Sequence, residues 1–450
     1  MGGSIQSMNT NPIIKRIVVK AEAALDSPAL VGSGESESTD MDVLVDSSGV
    51  PFLPGTSLAG VLKTLLEPEG ETFLAEMFGD SPFGPGGGAK AEEKGQTETG
   101  GYGAMSALWV LDAAFANAEG ERPTVVELDG VALDPENKVA LDKRKYDFEA
   151  VETDSVFTLR MMLVIREGND AEKLQEGLGK IVFSLLNGNV AVGAKTNRGF
   201  GRVRCGEVFE QAFDFKDHGV GDLARWTDFS WGKDDGWEDA KSVEYASREH
   251  KLTAELKLIG SVMIRDIENI DGDEDYKHIS SNGKPVIFGT SWAGAIRSGL
   301  YRLLKPVYED QTASELDKYF GMVEENTSET IPSLIAFDAS FLEEDNELVD
   351  GYRTITRVKI DRFTGGAADG ALFTERPWYG GRTTLAARWK AGGNDDKEIR
   401  KILLLALEAI DKGLLTIGGE TAVGRGVFKV VNAEIDGQSV WTQAKGGGIK

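Results

Sequence analysis

"GTSLAGVLK" runs from Gly55 to Lys63, and "GTSWAGAIR" runs from Gly289 to Arg297. Each ends in a cation eight positions after its first glycine. The match spreads outward from this pair. "GVPFLPGTS" (49–57) answers "GKPVIFGTS" (283–291), "MFGD" (77–80) answers "YFGM" (319–322), and "LWVLDAAF" (108–115) answers "LIAFDASF" (334–341). Further on, "VALD" (131–134) answers "VKID" (358–361), and "VGAKTNRGFGRV" (192–203) answers "IGGETAVGRGVF" (417–428). Repeats kept in order mark a duplicated unit rather than chance. The chain therefore reads as a first domain over 1–212, a linker over 213–248 and a second domain over 249–450.

Bulk properties bound the function. The chain has 450 residues, enough for several packed cores. There is no apolar run of about 18 residues, so no membrane span is expected. The start, "MGGSIQSMNTNP", lacks the basic and apolar regions of a secretory signal. With one cysteine, Cys205, no internal disulfide is possible, and a cytoplasmic protein is expected. One Cys and three His (His218, His250, His278) argue against zinc-ligand spacing and a His-based triad. Net charge is −25, from 49 basic and 74 acidic residues. That opposes non-specific polyanion binding. Yet "GAKTNRGFGRVR" (193–204) and "DKRKY" (142–146) concentrate cations locally, and the local field is what a ligand meets.

Each copy yields the same element order. "KLTAELKLIGS" puts Leu252, Ala254, Leu256 and Leu258 on one face, the period of a half-buried strand. After the repeated Gly-Thr-Ser, Leu58, Leu62 and Leu65 recur at helical spacing, as do Trp292, Ile296, Leu300 and Leu303. Thr56, Ser57, Thr290 and Ser291 are expected N-caps. Strands are predicted over 107–115 and 156–165 in the first copy, and over 333–341 and 382–390 in the second. Helices are predicted from Ala171 to Leu186 and from Asp396 to Ile410, followed by the glycine loop and a last strand. The order βαββαβ is ferredoxin-like, or RRM-like, giving an α+β fold of two tandem domains. A polar excursion separates the second and third strands of each copy. The linker holds Trp226, Trp231 and Trp237 and is expected to pack across one domain or against a partner.

Both repeated motifs suit an anion. A helix start offers unpaired N–H groups and partial positive charge. Lys63 and Arg297 lie about two turns in and add full charge. The glycine loops permit positive φ and close backbone approach. They carry Lys195, Arg198 and Arg202 in the first copy and Arg425 in the second, where Glu420 stands opposite Lys195. Neither loop is GxxxxGK[ST] or a post-strand GxGxxG.

These residues resemble a known family. "DSSGVPFLPGTSLAGVLK", "VKIDRFTGGAADGALFTERP" and "GAKTNRGFGRV" are similar to the RAMP superfamily, in particular to backbone subunits of type III CRISPR effector complexes. Seen twice over nearly the whole chain, the pattern resembles the fused double-module form of type III-D-like systems. The resemblance implies that the modules stack along a CRISPR RNA, gripping it with the glycine loop and first helix. It implies a thumb hairpin in each module, target RNA as second ligand, and other RAMP, large and small subunits as partners. It also implies an aspartate after the first strand that supports divalent-metal-dependent cleavage of target RNA, with Mg2+ or Mn2+ bound only transiently.

Carried over by position, that aspartate is Asp40, also the candidate metal ligand, with Asp42 as its neighbour. The second copy offers Asp273 or Asp275 in "ENIDGDEDYKHISSNGKP" (268–285). This segment mimics an EF-hand start, but Tyr276 stands where the turn glycine belongs. RNA carries its own nucleophile, so positioning and charge relief suffice for such a site. The thumbs offer Lys143, Arg144, Tyr146 and Phe148 in the first copy, and Arg362, Phe363 and Phe373 in the second. Cations interleaved with aromatics suit splayed bases. Two alternatives stay open: a non-cleaving scaffold of the same complex, and a duplicated metabolic enzyme that binds a phosphorylated small molecule.

Overall fold

The structure is a computed structural model. It describes residues 11–33, 41–79, 105–134, 140–246, 249–266, 274–323, 330–345, 351–442 and 448–449. Asp40 and Asp273 lie outside these residues.

In the first module, β1 (Ile13–Leu25) is the central strand. It is followed by α1 (Gly55–Leu65), α2 (Glu71–Phe78), β2 (Leu108–Val110) and β3 (Ala113–Ala116). Next come β4 (Val125–Leu133), β5 (Ala140–Val151), β6 (Val156–Arg166), α3 (Ala171–Leu186) and β7 (Val203–Asp214). β1 pairs antiparallel with β6 on one side and β7 on the other, while β2 and β3 extend the β6 edge. The ferredoxin-like order therefore stands. Leu58 and Leu62 of α1 and Leu174, Leu178, Ile181 and Leu185 of α3 are buried against this sheet. Each such side chain removes about 1.5–3 kcal/mol of apolar exposure. α3 starts where the sequence suggests, because Asp170 accepts from the Lys173 N–H at 3.1 Å.

The linker begins on the far side of this sheet. α4 (Gly219–Asp228) follows β7, and Trp226, Phe229, Trp231 and Trp237 pack over Val18, Met162, Val164 and Phe213. Arg16 sits over Trp226 at 4.6 Å and Lys20 over Trp237 at 5.1 Å. Three tryptophans are present because this segment forms the second apolar layer of the first sheet.

The second module repeats the plan. It comprises β8 (Glu249–Ile259), β9 (Tyr276–His278), α5 (Gly289–Tyr308), α6 (Thr312–Phe320) and β10 (Ile335–Phe337). Then come β11 (Ile355–Ile360), β12 (Ala367–Arg376), β13 (Arg382–Lys390), α7 (Asp396–Asp411) and β14 (Val427–Ile435). β8 lies between β13 and β14, and β10 extends the β13 edge. Trp292 is wholly buried under α5, its indole N–H donating to Ser340 Oγ at 2.8 Å. Each excursion forms an antiparallel hairpin, β4–β5 in one module and β11–β12 in the other. Among the described residues no helix is long and apolar enough to cross a membrane.

One sequence expectation fails at the helix starts. α1 is capped by Pro54 and α5 by Phe288, without side-chain cap bonds. Thr56, Ser57, Thr290 and Ser291 lie inside the first turn instead. The glycine N–H of α1 is met from the turn between β2 and β3, where Asp112 Oδ1 accepts from Gly55 at 2.6 Å. Proline fixes the extended backbone a cap needs, and a distant carboxylate replaces the local hydroxyl.

Candidate nucleic-acid interface

The glycine loops adopt one geometry twice. Short 3-10 turns at Thr196–Arg198 and Thr421–Val423 are each entered and left through left-handed residues. These are Lys195 (φ 55°) and Gly199 (φ 84°) in the first, and Glu420 (φ 55°) and Gly424 (φ 87°) in the second. A lysine and a glutamate hold the same rare conformation, so backbone closure rather than side-chain identity dictates the turn.

The first turn is docked onto the second module. A Cβ on Gly199 would stand 2.5 Å from the Phe337 carbonyl oxygen and 2.7 Å from the Ala339 nitrogen. A Cβ on Gly289, at the start of α5, would overlap the carbonyl oxygens of Phe337 and Arg198. Helix start and glycine turn thus meet across the junction between modules. Phe200 fills that junction, 5.7 Å from the Phe148 ring and 5.6 Å from Phe288. Asp338 takes Arg202 Nε on one oxygen at 2.8 Å and Arg388 Nε on the other at 2.9 Å. At the rim, Asp154 accepts from Arg204 at 2.8 Å, Asn282 at 3.1 Å and Lys284 at 3.2 Å. Against the desolvation that would raise it, these partners hold the Asp154 carboxyl down to about 2. Thr153, Ser281 and Glu152 are hydrogen-bonded to one another and buried beside it.

This assembly reassigns several sequence candidates. Arg202 is committed to Asp338, and Phe148 is buried in the junction core. Lys195 lies with its ammonium 3.6 Å from the Phe148 ring and 4.3 Å from Tyr146, so its charge is shared with the base of the first thumb. Tyr146 also stacks on Phe148. Arg198 is exposed, and Thr290 and Ser291 are half-buried beside it. On the first module's own helix, Thr56 and Ser57 are exposed and Lys63 is half-buried. Arg297 is paired with Asp317. Arg425 is 4% exposed and held by Glu375 and Glu420, which leaves no face for a phosphate. It occupies the place of Phe200, so the second turn is closed by charge where the first is closed by an aromatic ring.

The first-strand loops come to the thumb bases in both modules. Glu149 on β5 accepts from the Val43 N–H at 2.9 Å, and its own N–H donates to the Met41 carbonyl at 2.9 Å. Asp42 sits between these contacts, half-buried, its carbonyl accepting from the Ser33 N–H at 2.9 Å. In the second module the Asp275 N–H donates to the Thr374 carbonyl at 2.7 Å, and Asp275 Oδ2 accepts from the Thr374 N–H at 2.7 Å. The pairing also fixes a register. Val45 bridges Pro51 and Ser280 pairs with Pro285, the two prolines being matched in the repeat. Five residues before Val45 stands Asp40 in the sequence, and five before Ser280 stands Asp275. Asp275, not Asp273, is thus the counterpart of position 40, and Asp42 answers to Lys277. Among the described residues no group of three or more His, Cys, Asp or Glu is placed to hold a metal ion.

The second thumb exposes its apolar residues. At its turn Asp361 accepts from the N–H groups of Phe363 and Thr364, each at 2.8 Å. That turn leaves Phe363 100% exposed, beside an exposed Arg362. Val358, Ile360, Leu372 and Phe373 are also exposed along the hairpin. On the first thumb, Lys143 and Arg144 lie on β5 with side chains outside the described residues.

Asp112, Glu149, Phe200 and Asp338 escaped the sequence reading. The signal for two of them was present, since "LDAAF" and "FDASF" repeat the aspartate. Its two uses, a helix cap and an inter-module ion pair, were not legible without the fold.

A family model of the RAMP superfamily matches residues 22–204 and 255–429. No curated protein matches the chain. Members of the superfamily are CRISPR-associated RNA-binding subunits that work in multi-subunit complexes. Because the match falls once on each ferredoxin-like module, with the tryptophan-containing segment between, the chain belongs to the RAMP superfamily as two modules in one polypeptide.

Proposed function

We propose that this chain is a CRISPR RNA-binding backbone subunit of a type III, III-D-like effector ribonucleoprotein, and that it cuts complementary target RNA. One observation carries the cleavage reading. In both modules the acidic first-strand loop is tied to the base of the thumb, through Glu149 in one and Thr374 in the other. A thumb that interrupts a guide–target duplex would splay target nucleotides beside these carboxylates, at Asp40 and Asp42 in the first module and Asp275 in the second.

The chemistry asks little of the protein. The ribose 2′-OH attacks the adjacent phosphorus, the bond to the 5′ oxygen breaks, and water protonates the leaving oxygen. The carboxylates accept the 2′ proton or orient the ribose, while the thumb holds attack and departure in line. One Asp275 oxygen is already committed to a backbone N–H, so the donors here suit only a loosely held, mostly hydrated ion. Mg2+ or Mn2+, when bound, supplies charge relief for the phosphoryl oxygens.

Arg198, Lys195, Thr290 and Ser291 line the junction, where a CRISPR RNA phosphate would meet two modules at once. Partners are suggested by the free ends. Among the described residues nothing stands within 4 Å of a Cβ on Gly424, whereas its counterpart Gly199 is walled in by the second module. A neighbouring subunit with a glycine-led helix start would complete that half-junction.

The test uses the complex assembled with its partner subunits and CRISPR RNA. Target-RNA ends are sequenced for wild type, for Asp40→Ala with Asp42→Ala, and for Asp275→Ala. Loss of one distinct cut in each variant is expected. Cuts that survive every variant assign cleavage to another subunit, and a complex that forms without RNA removes the reading altogether.

A further inference from the structure

Glu149 is an acidic side chain that ties the first module's acidic loop to its thumb. We infer that it is a positioning residue for the first module's cleavage carboxylate, an inference that rests on the cleavage reading above.

The contact has two points. Glu149 Oε2 accepts from the Val43 N–H at 2.9 Å, and the Glu149 N–H donates to the Met41 carbonyl at 2.9 Å. Asp42 lies between the two held residues. From its other side, the Asp42 carbonyl accepts from the N–H of Ser33 at 2.9 Å and its hydroxyl at 3.3 Å. Three residues of loop are therefore fixed between the strand that leaves β1 and the strand that builds the thumb. A carboxylate accepting a backbone N–H makes a charge-assisted bond, stronger than a neutral one.

The second module shows that this is not simply how such a loop must be held. Val151 pairs with Ala29 as Trp378 pairs with Val262, so the residue matching Glu149 is Arg376, a cation that cannot accept an N–H. It lies 3.8 Å from Glu274 and over the Tyr352 ring. There the loop is tied by its own acid, through Asp275 and Thr374. In one module the thumb supplies the carboxylate, and in the other the loop does. Removing Glu149 should therefore release one site and leave the other in place. A displacement near 1 Å is enough to cost about 100-fold in rate.

The experiment compares Glu149→Ala and Glu149→Gln with wild type in the assembled complex. The first-module cut is the one lost in the Asp40→Ala, Asp42→Ala double variant, and the Asp275 cut serves as internal control. Glu149→Ala should lower kcat for the first cut at least about 10-fold, with KM and the Asp275 cut within about two-fold. Glutamine keeps an acceptor oxygen and should restore most of the loss. Hydrogen exchange at the Val43 amide should rise in Glu149→Ala and stay low in Glu149→Gln. An unchanged first cut, an equal fall of both cuts, or a loss that glutamine does not rescue overturns the positioning role while the cleavage reading stands. A wild-type complex that makes no cut removes both.

Discussion

Gly199 and Gly424 occupy the same place in the two glycine turns, and replacing each by alanine isolates the junction between modules. Both have left-handed backbones, with φ of 84° and 87°. The conformational cost of a Cβ is therefore shared, about 1–2 kcal/mol for each. The surroundings differ. At position 199 the new methyl would stand 2.5 Å from the Phe337 oxygen, 2.7 Å from the Ala339 nitrogen and 2.9 Å from the Asp338 carbonyl carbon. All three are backbone atoms, so no flexible side chain can swing aside. Forced overpacking of this kind adds about 1–3 kcal/mol. At position 424 no described residue lies within 4 Å. Gly199→Ala should thus exceed Gly424→Ala by about 1–3 kcal/mol, a gap of at least about 2 °C in melting temperature for a module of this size. Circular dichroism melts of the two variants measure it. Trypsin digestion should show the segment between modules cut faster in Gly199→Ala only. Equal melting temperatures, or a larger fall in Gly424→Ala, would refute the docked junction.

Other outcomes follow from the same geometry. Asp338→Ala leaves Arg202 and Arg388 together without their shared carboxylate. Urea unfolding should report a loss of about 3–5 kcal/mol, and a loss below 1 kcal/mol would mean the pair is not buried in solution. His278 is wholly buried, its Nδ1 accepting from the Ile264 N–H at 3.0 Å, and burial pushes its pKa down to about 3. The unfolded chain binds that proton more tightly, so this contribution is complete above pH 6.5. It falls by about 1.4 kcal/mol per unit as pH drops toward 3. Denaturation of His278→Gln across that window should show a flatter pH dependence, and a parallel curve would contradict the assignment. Asp154, held to about 2, contributes stability above pH 4 that is lost between about pH 4 and 2. Asp154→Asn should remove that step from the acid-unfolding curve, and its persistence would place the step elsewhere. Phe363→Ala at the second thumb turn should change stability by less than about 0.5 kcal/mol, since the ring is fully exposed, while weakening target-RNA capture measured by filter binding. A stability loss above 1 kcal/mol would show that the ring packs.

Much of the fold was legible in the residues. The alternation of Leu252, Ala254, Leu256 and Leu258 named a half-buried strand, and these four are buried as the period demands. The sequence predicts a helix over Ala171–Leu186, and the stretch forms one. Tryptophans in the linker signalled packing, and they cover the first sheet. These features rest on local periodicity or composition. The site was less legible, because charge does not announce its partner. Arg202, Arg297 and Arg425 look like cations offered to RNA, and each is matched by a carboxylate on another element, between 20 and 136 residues away. Thr56 and Ser57 looked like caps, and an aspartate more than fifty residues on does that work.

By itself the sequence determined the duplication, the ferredoxin-like order of each copy, and the left-handed turns that only glycine-rich segments close cheaply. Those properties are encoded in neighbours along the chain, where period and backbone preference act directly. Tertiary structure alone decided that the first glycine turn meets the second module's helix, and which cations stay on the surface. It also paired Asp275 with the position of Asp40. Each of these depends on burial and on contacts between distant segments, and a linear reading holds neither.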